Sequence, residues 1–147
     1  MNNILLLCVG NICRSPIAEA LFKQQFPDKK VWSAGLAALV GSAADDAAIK
    51  VAADHGFDLS KHRAQQVFAW MCQDADLILV MEKIHKSELE RNFPAVKGKV
   101  FGLGDVSKFQ IADPYRGPTT AFEKAYLNIA RGVADWAPRI RQLDSVG

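Results

Sequence analysis

Residues 4–16 read ILLLCVGNICRSP, and no other stretch restricts the possible folds so sharply. Four consecutive branched apolar residues running into Cys8, without polar alternation, describe a strand buried on both faces, the kind found in parallel sheets covered by helices. Gly10 and Asn11 tolerate the left-handed backbone angles of a tight turn. Pro16 is preset for a first helical turn, with Ser15 before it as the N-cap. The sequence therefore predicts a helix from Ser15 through AEALFKQQF to Pro27.

The rest of the chain repeats this alternation. KVWSA (30–34), DLILVM (76–81) and KVFGL (99–103) read as strands. Helix-patterned stretches lie near 43–55, 65–73 and 83–93, the first stopped by Gly56 and the last by Pro94. The expected fold is α/β: a four-stranded parallel sheet in the order 2-1-3-4, helices on both faces, and a phosphate-binding loop after the first strand, where the strand order reverses. A last helix beginning near Thr119 places Phe122, Tyr126, Ile129, Val133, Trp136, Ile140 and Leu143 on one apolar stripe. That stripe suits packing on the sheet better than a coiled coil, because Gly132 and Pro138 are expected to interrupt the helix. Residues 104–118 form the longest stretch without a pattern, a length that often carries function.

With 147 residues, half of them apolar, the chain is expected to fold as one domain spanning 1–147 with no need of disulfides. Three cysteines are an odd number and read as reduced thiols. No apolar run reaches the ~18 residues of a membrane span, and MNNILLLCVG lacks a basic start, so a cytoplasmic protein without membrane insertion is expected. A net charge of +2 is too mild for a nucleic-acid binder. The three histidines and three cysteines lack zinc spacing, so no metal is expected.

The loop at 8–15 has a chemistry of its own. Backbone N–H groups between a strand end and a helix start converge on one point, and the helix dipole adds positive charge there. Arg14 brings a planar fork able to hold two phosphate oxygens. A field that attracts an anion also stabilises a thiolate, so Cys8 is the candidate nucleophile. The loop lacks the lysine of a Walker motif. Cysteine at a strand end is commonly just a small apolar plug; the arginine six positions on favours a catalytic thiol.

CVGNICRSP resembles the signature loop of the low-molecular-weight protein tyrosine phosphatases, and ADPYRG (112–117) resembles that family's Asp-Pro-Tyr loop. The resemblance implies Cys8 as nucleophile, Arg14 as phosphate clamp and Asp113 as general acid, with no cofactor. Protonating an expelled phenolate is worth typically ~10²–10⁴-fold, and Asp113 before Pro114 is held extended in a loop. Val9, Gly10, Asn11, Ile12, Cys13 and Ser15 are implied to cradle the phosphate. Asn11, Ser15, Ser33 and His62 match positions of a hydrogen-bond network under the loop, while His55 and His85 receive no role. Ile12, Leu39 and Tyr115 are expected to wall the crevice.

Leu39 stands where vertebrate members carry an aromatic, and Arg116 replaces the second tyrosine of their Asp-Pro-Tyr-Tyr. In this the chain is most similar to bacterial members that act on a tyrosine autokinase controlling exopolysaccharide export. The resemblance thus implies a phosphotyrosine protein of that kind as partner, and a monomer is expected. Arsenate reductases share the fold but need two cysteines beyond the loop, and only Cys72 is present. A phosphotyrosine-binding module without turnover and a flavin-binding protein are further alternatives. Cys13 has two readings, an apolar plug or, as the resemblance implies, a resolving thiol for an oxidised Cys8.

Overall fold

The computed structural model describes residues 1–146. β1 (Asn3–Cys8) lies between β2 (Lys30–Gly35) and β3 (Leu77–Val80), with β4 (Val100–Gly102) beyond β3. All the pairings are parallel, and the register sets Cys8 opposite Gly35 and Leu7 opposite Val80. Ile4, Leu5, Leu6 and Leu7 are all fully buried, which is why the strand shows no polar alternation. Ile4 and Leu6, with Leu77 and Leu79 of β3, face a core closed by α1 (Arg14–Gln25), α2 (Asp46–Asp54) and α5 (Thr119–Val146). Leu5, Leu7, Ile78 and Val80 face the opposite core, closed by α3 (Ala69–Asp74) and α4 (Lys83–Asn92). The order 2-1-3-4, and helices on both faces, agree with the sequence reading.

Three local expectations need correction. The first helix starts at Arg14, and Ser15 does not cap it; no side chain caps that end. The Ser15 hydroxyl is spent on the site instead. The helix expected at 65–73 begins only at Ala69, because 65–67 lie beside the open edge of β2: Gly35 N–H donates to Gln65 O at 2.9 Å and Val67 N–H to Gly35 O at 3.0 Å. Those backbone bonds outweigh a weak helical pattern.

The third correction concerns α5, which runs unbroken through Gly132 and Pro138. Ala134 and Pro138 are both exposed, so the carbonyl that proline leaves unpaired faces water, where the loss is small. Gly132 is a packing residue: a Cβ there would lie 2.7 Å from Leu103 Cγ and 2.8 Å from Leu103 O. The nearby Trp136 indole N–H donates to the carbonyls of Gly102 and Leu103 at 3.2 and 3.1 Å. The stripe from Phe122 to Ile140 is buried as expected, while Leu143 is half exposed. No helix among the described residues is long and apolar enough to cross a membrane.

Alanine is the better helix former by about 1 kcal/mol, yet Gly132→Ala should destabilise the protein. The collision with Leu103 is of the overpacking kind, costing typically about 1–3 kcal/mol. Urea denaturation should show a lower midpoint; an unchanged or raised midpoint would contradict this role for Gly132.

Candidate active site

The loop after β1 is shaped by what surrounds it. Five consecutive carbonyls, from Cys8 to Ile12, each accept a bond from outside the loop. Leu36 N–H donates to Cys8 O at 2.9 Å, Ala37 N–H to Val9 O at 3.0 Å and Leu39 N–H to Gly10 O at 3.1 Å. His62 Nε2 meets Asn11 O at 2.6 Å, and Asp45 N–H donates to Ile12 O at 2.9 Å. In a trans peptide the C=O and the following N–H point opposite ways. The N–H groups of Val9, Gly10, Asn11, Ile12 and Cys13 therefore turn away from these donors and toward the cavity the loop encloses. Gly35 makes the strap possible, since a Cβ there would lie 2.4 Å from Val9 O.

Asn11 holds the loop from inside. Its φ of 58° is the left-handed turn that reverses the chain, and it is fully buried. Its Oδ1 accepts from Gln65 N–H at 2.9 Å, which fixes the amide so that Nδ2 donates to Ser15 Oγ at 2.7 Å and Ser33 Oγ at 3.0 Å. The Ser33 hydroxyl donates to Glu19 Oε1 at 2.6 Å. Ser15, its oxygen already accepting from Asn11, keeps its proton for Cys8 Sγ, 2.9 Å away, whenever that sulfur is a thiolate. His62 must be protonated at Nε2, because the carbonyl it meets can only accept. Asn11 and Ser15 thus lie beneath the cradle rather than on its surface, with Ser33 and His62 behind them.

The cavity has a volume of about 210 Å³ and is lined by Cys8, Val9, Gly10, Ile12, Cys13, Arg14, Ala37, Leu39, Asp113 and Tyr115. Leu39 and Tyr115 stand half exposed at its mouth, and the Arg116 guanidinium lies over the Tyr115 ring at 5.3 Å. Arg14 is only 2% exposed. Its NH1 donates to Glu82 Oε2 at 2.7 Å and Ile111 O at 2.8 Å, and NH2 points toward Asp113 Oδ2 at 3.8 Å. Asp113 enters from the 104–118 loop, with its Oδ1 accepting from Tyr115 N–H at 3.1 Å. Ile111 fastens that loop to the end of β3 through Met81 O at 3.0 Å. Among the described residues no group of His, Cys, Asp or Glu is placed to hold a metal ion.

Sequence reading missed Glu82, Glu19 and Gln65. Glu82 lies two residues past the end of β3, at the carboxyl edge of the sheet, where site residues of such folds collect, and that position was the available signal. Glu19 and Gln65 act through tertiary contacts that have no local pattern. Cys72 lies in the opposite core from Cys8 and Cys13, so it is not placed to relay a disulfide from the loop.

A thiol on the floor of an amide cradle, with an arginine fork beside it and a carboxyl group across the mouth, defines the class of cysteine-based phosphatases. The chain belongs to the low molecular weight phosphotyrosine protein phosphatase family, whose sequence pattern matches residues 3–145. The probable low molecular weight protein-tyrosine-phosphatase EpsP of Ralstonia nicotianae is 52% identical over 143 residues, covering 97% of this chain and 99% of its own length. The crystal structure of the Erwinia amylovora tyrosine phosphatase AmsI matches with a TM-score of 0.91 at 47% identity, over 94% of this chain and 92% of that one. Vibrio vulnificus Wzb, solved with benzylphosphonate, matches with a TM-score of 0.91 at 42% identity, over 94% and 98%.

Burial, with Asp45 and Cys8 adding to it, pushes the Cys13 thiol up to about 12. At pH 7 only about 10⁻⁵ of it is thiolate, which makes it a poor nucleophile toward alkylating agents. Burial raises the Cys72 thiol as well. Iodoacetate at pH 7 should therefore carboxymethylate Cys8 alone, more slowly with phosphate present, and reach Cys13 and Cys72 only after unfolding. Mass spectrometry of the labelled peptides checks this; Cys13 labelling as fast as Cys8 would contradict it.

Proposed function

We propose that this chain hydrolyses phosphotyrosine in two steps through a phosphocysteine. The Cys8 thiolate attacks phosphorus, and the bond from phosphorus to the tyrosine oxygen breaks. Asp113 gives its proton to the departing phenolate. The inward N–H groups and the Arg14 fork take the charge that spreads over the three equatorial oxygens. Ionised Asp113 then accepts a proton from water, whose oxygen bonds to phosphorus. The sulfur–phosphorus bond breaks, inorganic phosphate leaves and the thiolate is restored. One observation carries this reading: Cys8, Arg14 and Asp113 line one cavity, and the Ser15 hydroxyl stands 2.9 Å from Cys8 Sγ.

The walls favour an aryl ester. Ile12, Leu39 and Tyr115 offer apolar surface on which a phenyl ring can lie, and only a long side chain brings its phosphate down to Cys8, a residue that is 2% exposed. The benzylphosphonate held by Vibrio vulnificus Wzb is an analogue of that shape. The partner in this reading is a phosphotyrosine protein, a tyrosine autokinase tied to exopolysaccharide export, met in the cytoplasm by a monomer of this chain. Arsenate reduction is disfavoured because Cys72 is out of reach of the loop.

With a series of aryl phosphates, Asp113→Asn should lower kcat by ~10²–10⁴ for a poor leaving group such as phenol. It should lose far less with a nitrophenolate, which departs without a proton. Steady-state rates across the series check this, and an equal loss for every leaving group would exclude Asp113 as the acid.

A further inference from the structure

Arg14 is a buried cation, and the carboxylate that holds it is itself held. Glu82 occupies the N-cap of α4, where the His85 backbone N–H donates to the Glu82 carbonyl at 3.0 Å while the His85 ring accepts from the Glu82 backbone N–H at 3.2 Å. A backbone N–H can only donate, so the ring nitrogen facing it, Nδ1, carries no proton. The one proton of the neutral ring is then on Nε2. Nε2 stands 3.3 Å from Glu82 Oε2, the same oxygen that takes Arg14 at 2.7 Å. His85 is 3% exposed and is the one buried histidine. Burial, and after it the Arg14 charge, push the imidazole below its usual range, against the opposite pull of Glu82, Glu88 and Asp113. The ring is neutral at pH 7. Protonation would set an Nδ1–H against the Glu82 N–H and break the cap.

We infer that His85 is a positioning residue for phosphoryl transfer: its neutral ring fixes Glu82 Oε2 and, through that oxygen, the plane of the Arg14 guanidinium. The inference rests on the proposed role of Arg14 as the clamp on the transferred group. Glu82 is a third exposed, and a carboxylate anchored only by Arg14 would be free to turn toward water. A tilted fork loses its two-point hold, which matters most when charge spreads over the equatorial oxygens, so turnover suffers more than substrate binding. Misplacement by about 1 Å at such a site costs on the order of 10²-fold.

The test uses the full chain with an aryl phosphate. His85→Leu, which fills the space but neither accepts nor donates, should lower kcat about 10- to 100-fold while KM moves less than about threefold. His85→Gln, whose amide can accept at the cap and donate to Oε2, should stay within about threefold of the wild type. In a Glu82→Gln background, His85→Leu should cost nothing further, because both changes cut the same link. Nitrogen NMR of the wild type at pH 7 should show His85 as the neutral Nε2–H tautomer. A Leu variant with undiminished kcat, losses that multiply in the double variant, or an imidazolium or Nδ1–H ring would overturn the inference. Arg14→Lys, measured alongside, separates the two levels. If it is fully active, the reading of the site fails; if it is inactive while His85→Leu is fully active, only the role of His85 fails.

Discussion

The outward pull on the carbonyls of Cys8 to Ile12 is the constraint on which the rest of this structure depends. A free loop of that composition would offer carbonyls and amides to solvent alike. Here the segment after β2, the start of α2 and the His62 ring draw the carbonyls to one side, and peptide planarity sends the amides to the other. The cradle is thus built by neighbours that do not line it, apart from Ala37 and Leu39. Gly35 is required where the strap passes closest, and Asn11 where the chain reverses.

The same logic of neighbours governs charge. A guanidinium at 2% exposure needs partners to offset its lost hydration, and Glu82 with the Ile111 carbonyl supply them on the NH1 side. That leaves the rest of the fork toward the cavity. Beneath the cradle, Gln65 orients the Asn11 amide, the amide orders the two serine hydroxyls, and the order ends in a proton directed at Cys8. Each link before the last is a hydrogen bond whose direction is forced by a group that can only donate or only accept, and the last takes its direction when Cys8 is a thiolate.

Much of this was legible in the sequence, because the strand, the loop and the helix start are contiguous and each obeys a local rule. Cys8, Arg14 and the positive-φ Asn11 lie within seven residues. Four buried strands alternating with helical stretches announce the parallel sheet, although right-handed crossovers alone leave more than one strand order open. What was not legible came from contacts distant in sequence. By local rule Ser15 looks like a cap, and only the family resemblance sets it beneath the loop, where it meets a thiol seven positions earlier. Residues 65–67 look helical until the edge of β2 is beside them. Pro138 looks like a break until its neighbour Ala134 is known to face water. His85, one of two histidines to which the sequence assigns no role, gains meaning only once Glu82 is known to hold Arg14.

The central claim is that phosphorus passes through the sulfur of Cys8. Rapid acid quenching of the enzyme during turnover of an aryl phosphate, followed by mass spectrometry of its peptides, tests it directly. The account predicts a transient phosphoryl adduct on the peptide containing Cys8, matched by a burst of released phenol and absent from Cys13 and Cys72. Turnover at the normal rate without that adduct, or with the phosphoryl group on another residue, would contradict it.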